Sequence, residues 1–217
     1  MRSAMSMLEL VFAIVIMGIA VMSLPLILTQ VQTNNAFALQ QEAILAAKTK
    51  IGDILTHEWD NNSYDTTAQR SFVLSTNSPT TALNCSATTF RRAGHVNADY
   101  RRKCSPLGAT ASSIGDDGGD LDDIDDFNGT TTVIANPLEG AGTLDYVFTA
   151  LTLTPTITYI SDTQLNNFTF NPNNISATPT NIKTISVQVT GTNQNITLRT
   201  FSFNIGEATL LPSRPYL

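Results

Sequence analysis

Histidine is nearly absent: His57 and His95 are the only two in 217 residues. No Ser-His-Asp order, metal-binding His cluster or Gly-rich phosphate loop accompanies them, so an enzyme would have no catalytic set to work with. His57, beside Glu58, reads as a surface or helix-end residue. Positive charge is also scarce. The 12 Lys and Arg against 18 Asp and Glu leave a net charge of -6, a poor match for nucleic acid over most of the surface. Cysteine is limited to Cys85 and Cys104. In an exported chain an isolated pair reads as one disulfide, contributing roughly 3 kcal/mol by loop closure, with two unrelated thiols as the alternative. There is no internal repeat, and the length suits one ordinary domain plus a long helix.

The longest absence is of charge. Residues 10 to 28 carry none. As a helix this run spans roughly 28 Å, close to the hydrocarbon core of a bilayer. Arg2 on the leading side argues that the N-terminus stays in the cytoplasm and the remainder crosses. A cleaved secretory signal fits poorly, because Ala20-Val21-Met22-Ser23-Leu24-Pro25 offers no clean small-x-small site. A plain membrane anchor leaves Glu9 unexplained. A carboxylate at the edge of an apolar helix costs about 2.5 to 3.5 kcal/mol if carried to the helix centre, so it calls for a partner.

The segment Ala4-Met5-Ser6-Met7-Leu8-Glu9-Leu10-Val11-Phe12-Ala13-Ile14-Val15-Ile16-Met17-Gly18 resembles the cleavage and methylation segment of type IV prepilins and type II secretion pseudopilins. In that family a dedicated peptidase cuts before an apolar residue, which is then N-methylated, and a glutamate stands fifth in the mature chain. A cut between Ala4 and Met5 makes Glu9 that fifth residue. Gly18 falls where the family often has glycine, and Pro25 lies within one position of its helix-kinking proline. Ala4 stands where the family usually has Gly, and Met5 where it commonly has Phe. The resemblance implies that the freed amine of Met5 in one subunit meets the Glu9 carboxylate of another, two charges costly alone and tolerable together. Gly18 and Pro25 are weak helix formers, at roughly 1 and 3 kcal/mol against Ala, and allow the helix to melt locally as it leaves the membrane.

Beyond the membrane the helix is expected to continue to about His57. Phe37, Ile44, Ile51 and Leu55 fall on one face at helical spacing, while Ala43, Ala46 and Ala47 allow close packing. Asp60-Asn61-Asn62-Ser63 reads as the stop. The C-terminal part alternates as strands do: Leu151, Leu153, Ile157 and Tyr159 against threonines, then Ile185, Val187 and Val189. Pro155 implies an edge position, a bulge or a break. Ile196 and Leu198 share one parity and Phe201, Phe203 and Ile205 the other, which predicts a bulge near Arg199 or Thr200.

Seven acids crowd into residues 116 to 126, and five bases into residues 91 to 103. Asp116, Asp117, Asp120, Asp122 and Asp125, interleaved with glycines, are candidate calcium ligands, although their spacing is not that of an EF-hand. A solvated acidic loop and a charge-paired contact with Arg91, Arg92, Arg101, Arg102 and Lys103 remain open beside it. The basic segment, with Phe90 and Tyr100, also has the makings of a DNA-binding loop, although five such charges are more often surface or contact residues. Asp126-Phe127-Asn128-Gly129-Thr130 fits an acidic glycosylation sequon and, more simply, a turn.

The expectation is an α+β, pilin-like fold: a leader over residues 1 to 4, a membrane and filament-core helix over 5 to 28, its amphipathic continuation over 29 to 60, a disulfide-stapled and mainly irregular insertion with short strands over 61 to 143, and an antiparallel sheet over 144 to 217. The resemblance implies a single-pass bacterial inner-membrane protein with a periplasmic head, built into a pilus or pseudopilus as a structural subunit. Its length favours a minor one. Its partners would be other pilin or pseudopilin subunits, the prepilin peptidase, the inner-membrane assembly platform and the lipid bilayer. No cofactor is required, and calcium is the candidate ion. A membrane-tethered adhesin that never polymerises is the alternative.

Overall fold

A computed structural model describes residues 7–77, 81–92, 102–115, 118–135, 150–163, 171–191 and 194–208. The first element, α1, runs unbroken over Met7–Ile54, 48 residues, or roughly 72 Å of helix. It passes straight through Gly18 and Pro25. Pro25 has no N–H, so the carbonyl one turn earlier lacks its helical donor. The hydroxyls of Ser23, Thr29 and Thr33 donate to the helix's own carbonyls of Ala20, Pro25 and Thr29, each at 2.9 Å. Those polar side chains therefore present no unpaired donor along the rod. Leu55 and His57 bond back to Ile51 and Ile54 and close the last turn a few residues earlier than expected.

The helix buries a narrower stripe than its largest side chains suggest. Ala43, Ala47, Ile51 and Ile54 face the head, at helical spacings of four, four and three residues. Phe37 (59% exposed), Ile44 (38%) and Leu55 (43%) do not join it, which corrects the expected face at three of its four positions. Alanine has no bulk beyond Cβ, so the helix settles on the sheet along Ala43 and Ala47, with Ile51 and Ile54 continuing the seam and Phe37, Ile44 and Leu55 off it.

The sheet has four antiparallel strands in the order β3-β4-β5-β6, namely Thr132–Ala135, Ala150–Tyr159, Ile182–Gly191 and Gln194–Phe203. A separate small hairpin pairs β1 (Tyr64–Asp65) with β2 (Arg70–Ser71). The sheet thus takes its first strand from within residues 61 to 143. Pro155 opposes Val187 inside the β4–β5 ladder. The β3 pairing stops at Leu153, and the Pro155 carbonyl instead accepts from Gly129 N at 2.9 Å. The missing N–H lies on that same side, where β3 has ended, so the proline occupies a local edge as its chemistry requires. Further along, Ile157 N donates to Asn128 Oδ1 at 3.0 Å. The stretch after Phe127 is a turn, with Gly129 at φ +76.

The bulge expected near Arg199 or Thr200 is not there. β5 and β6 pair without interruption from Ile182↔Phe203 to Gly191↔Gln194. Ile196 and Leu198 lie opposite Val189 and Val187 and pack against the helix-side core. Phe201 and Phe203 lie opposite Thr184 and Ile182 on the other face. Both of those partners are buried. At this end residues on both faces of β5 are buried, although Phe203 itself is 46% exposed, so the change of parity needs no slip in register.

The core joins the helix stripe to Leu151, Leu153, Ile157, Tyr159, Ile185, Val187 and Val189, with Trp59, Leu74, Ile124 and Phe127 closing its end. The expected disulfide is formed, Cys85 to Cys104 with Cα atoms 6.0 Å apart. Its segment is tied to the sheet's end by Asn204, which donates to Leu74 O (2.8 Å) and accepts from Leu74 N (3.0 Å). Gly206, at φ +58, lies so close to the backbone that an added Cβ would meet Val73 N at 2.9 Å.

Ile185 is fully buried against α1, whereas Ile134 on β3 is 38% exposed. Ile185→Ala is expected to destabilise the head by about 2 to 5 kcal/mol. Ile134→Ala should change it by less than about 0.5 kcal/mol. Denaturant unfolding of the detergent-solubilised chain, followed by Trp59 fluorescence, measures both.

Candidate functional site

Two features stand out. One is the bare half of α1. Every large apolar side chain between residues 8 and 28 is at least 52% exposed. An 18-residue window of this helix has mean hydropathy 2.7 and buries nothing. By length and composition it is a candidate membrane span, and such a surface needs lipid or other helices around it. Glu9 lies in the first turn of α1 and is exposed. Among the described residues, a Cβ added to Gly18 would meet no atom within 4 Å. Ala4 and Met5 lie outside the described residues.

The other feature is a buried charge cluster at the end of the helix. Lys183 stands on β5 at the inward parity of Ile185 and Val187, and its side chain is wholly buried. Nζ contacts Asp125 Oδ1 directly and lies 3.5 Å from Asp60 Oδ2. It also donates to the Trp59 carbonyl. The Trp59 and Tyr159 rings sit 4.4 and 5.4 Å from it. Asp60 Oδ2 accepts from Ser112 N (2.9 Å) and Ser112 Oγ (3.1 Å), and its Oδ1 caps the turn at Asn62 N (3.1 Å). The Ser112 hydroxyl lies 3.5 Å from Asp125 Oδ2. Tyr159 donates to Ser112 O at 2.9 Å.

The remaining carboxylates build turns. Asp123 Oδ1 accepts from the backbone N–H of Asp125 (2.7 Å) and Asp126 (3.2 Å), and Oδ2 accepts from Asn61 N (2.7 Å). Asp126 Oδ2 takes the N–H groups of Asp122 and Asp123. Two buried carboxyls, Asp60 and Asp125, thus meet one ammonium, and two more, Asp123 and Asp126, are buried in the adjoining turns. Burial pushes the Asp125 carboxyl up to about 7, helped by Asp123 and Asp60 and opposed by Lys183. Asp123 is raised for the same first reason, against the pull of Lys183 and two backbone donors. The Tyr159 hydroxyl is raised by burial and by the Asp60, Asp125 and Asp123 charges.

Of the candidate calcium ligands, Asp125 is committed to Lys183, whereas Asp120 and Asp122 are exposed. Asp116 and Asp117 lie outside the described residues. Among the described residues no group of three or more His, Cys, Asp or Glu is arranged to hold a metal ion. Arg92, from the basic segment, turns inward to donate to Asn181 Oδ1 (2.7 Å) and Asn204 O. The acidic stretch therefore pairs with a lysine from β5 that sequence reasoning passed over. Its one signal was parity: a charged residue in step with the buried Ile185, Val187 and Val189.

No family model matches the chain, and no curated protein or solved structure resembles it significantly.

Removing Lys183 leaves buried carboxyls without their cation, so Lys183→Met is expected to destabilise the head by at least about 3 kcal/mol in thermal or denaturant unfolding. Glu58 lines a cleft of about 510 Å³ between the helix end and β6 that it shares with Glu207. Its carboxyl is raised above 4.5 by burial first and by Glu207 next. A raised folded-state value means a contribution fully present below the unfolded value and lost as pH rises through the folded one. Glu58→Gln should therefore raise the melting temperature at about pH 8 and leave it nearly unchanged at about pH 4.

Proposed function

We propose that this chain is a structural subunit, a minor pilin or pseudopilin, of a type IV pilus or type II secretion pseudopilus. It is held in the bacterial inner membrane by the first half of α1, with its head in the periplasm, and is assembled through that same helix. The observation that carries this reading is Glu9 at the leading edge of an apolar rod with nothing packed on it. Lipid satisfies the rod but not the carboxylate. A bundle of such rods satisfies both, because the amine freed at Met5 by a prepilin peptidase can meet Glu9 of a neighbouring subunit. The exposed Gly18 surface then permits close helix approach. The Cys85–Cys104 disulfide suits the oxidising compartment in which the head would sit.

The test compares the wild-type chain with Glu9→Ala in its native host. Equal amounts of both are expected in the inner membrane, and only the wild type in sheared or purified filaments, its N-terminus an N-methylated Met5. Incorporation of Glu9→Ala at the wild-type level would remove Glu9 from the assembly mechanism, and absence of the wild type from filaments would remove the assembly role. A wild-type chain that keeps residues 1 to 4 and never leaves the membrane would favour the tethered adhesin instead.

A further inference from the structure

We propose that Lys183 and Asp125 condense to an intramolecular amide, a covalent staple between β5 and the turn that precedes β3. The two side chains touch, 58 residues apart in sequence, and both are shut off from solvent. A third carboxylate, Asp60, lies 3.5 Å from the same nitrogen. The Ser112 hydroxyl bridges the two acids, 3.1 Å from Asp60 Oδ2 and 3.5 Å from Asp125 Oδ2. The Trp59 and Tyr159 rings wall the site. An ordinary ion pair needs no second buried acid, and this one has it at the nitrogen.

The chemistry balances without an outside reagent. Away from water the pair loses the hydration that favours two ions, and the Nζ proton passes to Asp125, giving a neutral amine beside a neutral acid. The amine lone pair attacks Cγ of Asp125 and a C–N bond forms. The proton shed by nitrogen goes to Asp60, which returns it through Ser112 Oγ to the departing oxygen. The C–OH bond breaks and water leaves, with Asp60 again a carboxylate. Nitrogen keeps one hydrogen, for which the Trp59 carbonyl is already the acceptor. Folding holds amine and acid in contact, which supplies the effective concentration that free amines and acids lack.

The full-length chain, extracted from membranes in detergent, is digested and mapped by tandem mass spectrometry. Trypsin is expected to pass over Lys183, because an acylated lysine is not a substrate. A protease that cuts after Phe127 and Tyr159 should then yield a branched peptide joining the Asp125 and Lys183 segments, lighter than their sum by one water. Asp60→Asn should give the unlinked pair in a chain that still folds by circular dichroism. Stoichiometric cleavage after Lys183 in the wild type would overturn the bond. A linked Asp60→Asn chain would overturn the assignment of Asp60 as proton carrier.

Discussion

A single lysine nitrogen holds the head together. Lys183 reaches from β5 to the chain leaving α1, at Trp59 and Asp60, and to the acidic turn at Asp125. Three distant parts of the sequence meet on that nitrogen. As the ion pair from which any bond must form, it adds little net stability over an apolar plug of the same size, because desolvation offsets the attraction. Its value is directional. Strand side chains alternate, so a one-residue slip of β5 would turn Lys183 outward and leave the carboxyls without a cation. The apolar residues Ile185, Val187 and Val189 favour the same register, but only the lysine makes the alternative costly in charge.

The acidic stretch makes sense from this centre outward. Asp60, Asp123 and Asp126 each spend a carboxylate on backbone N–H groups, which forms the tight turns after the helix and before β3. Such donors hold charge in place and partly replace water. Asp125 is left facing Lys183. A run that looks like a reservoir of metal ligands is in its second half a set of turn caps around one cation.

How much of this was legible depends on the kind of signal. The apolar run and the alternation of β4 and β5 are periodic, and periodicity survives without knowledge of the rest of the chain. The disulfide followed from cysteine number. The expected helix face fails at Phe37, Ile44 and Leu55, because size alone does not mark burial. At a helix–sheet contact the distance of approach decides instead, and Ala43 and Ala47 set it. The bulge in β6 was inferred from a change of parity, on the assumption that only one sheet face is covered. Phe201 and Phe203 instead lie opposite buried residues on the second face. Lys183 escaped notice because a lysine has no apolar periodicity to break; only its step with Ile185 marked it.

The position of the cluster bears on the proposed role. A subunit drawn from a bilayer into a filament is pulled by its N-terminal helix, and the head must follow without unravelling. Between α1 and the sheet the fully buried seam is narrow, two alanines and two isoleucines, with Leu39 and Ala46 partly buried beside it, and each of its dispersion contacts is small. A short way past the helix end, Trp59 and Asp60 are clamped to Lys183. The clamp thus links the chain just past α1, through Trp59 and Asp60, directly to β5. The disulfide and Asn204 add ties of their own between the stretch around Leu74 and Cys104 and the sheet's end. A strong directional tie at the exit of the helix lets a thin apolar seam suffice, and that seam can stay thin because alanine keeps the rod close to the sheet.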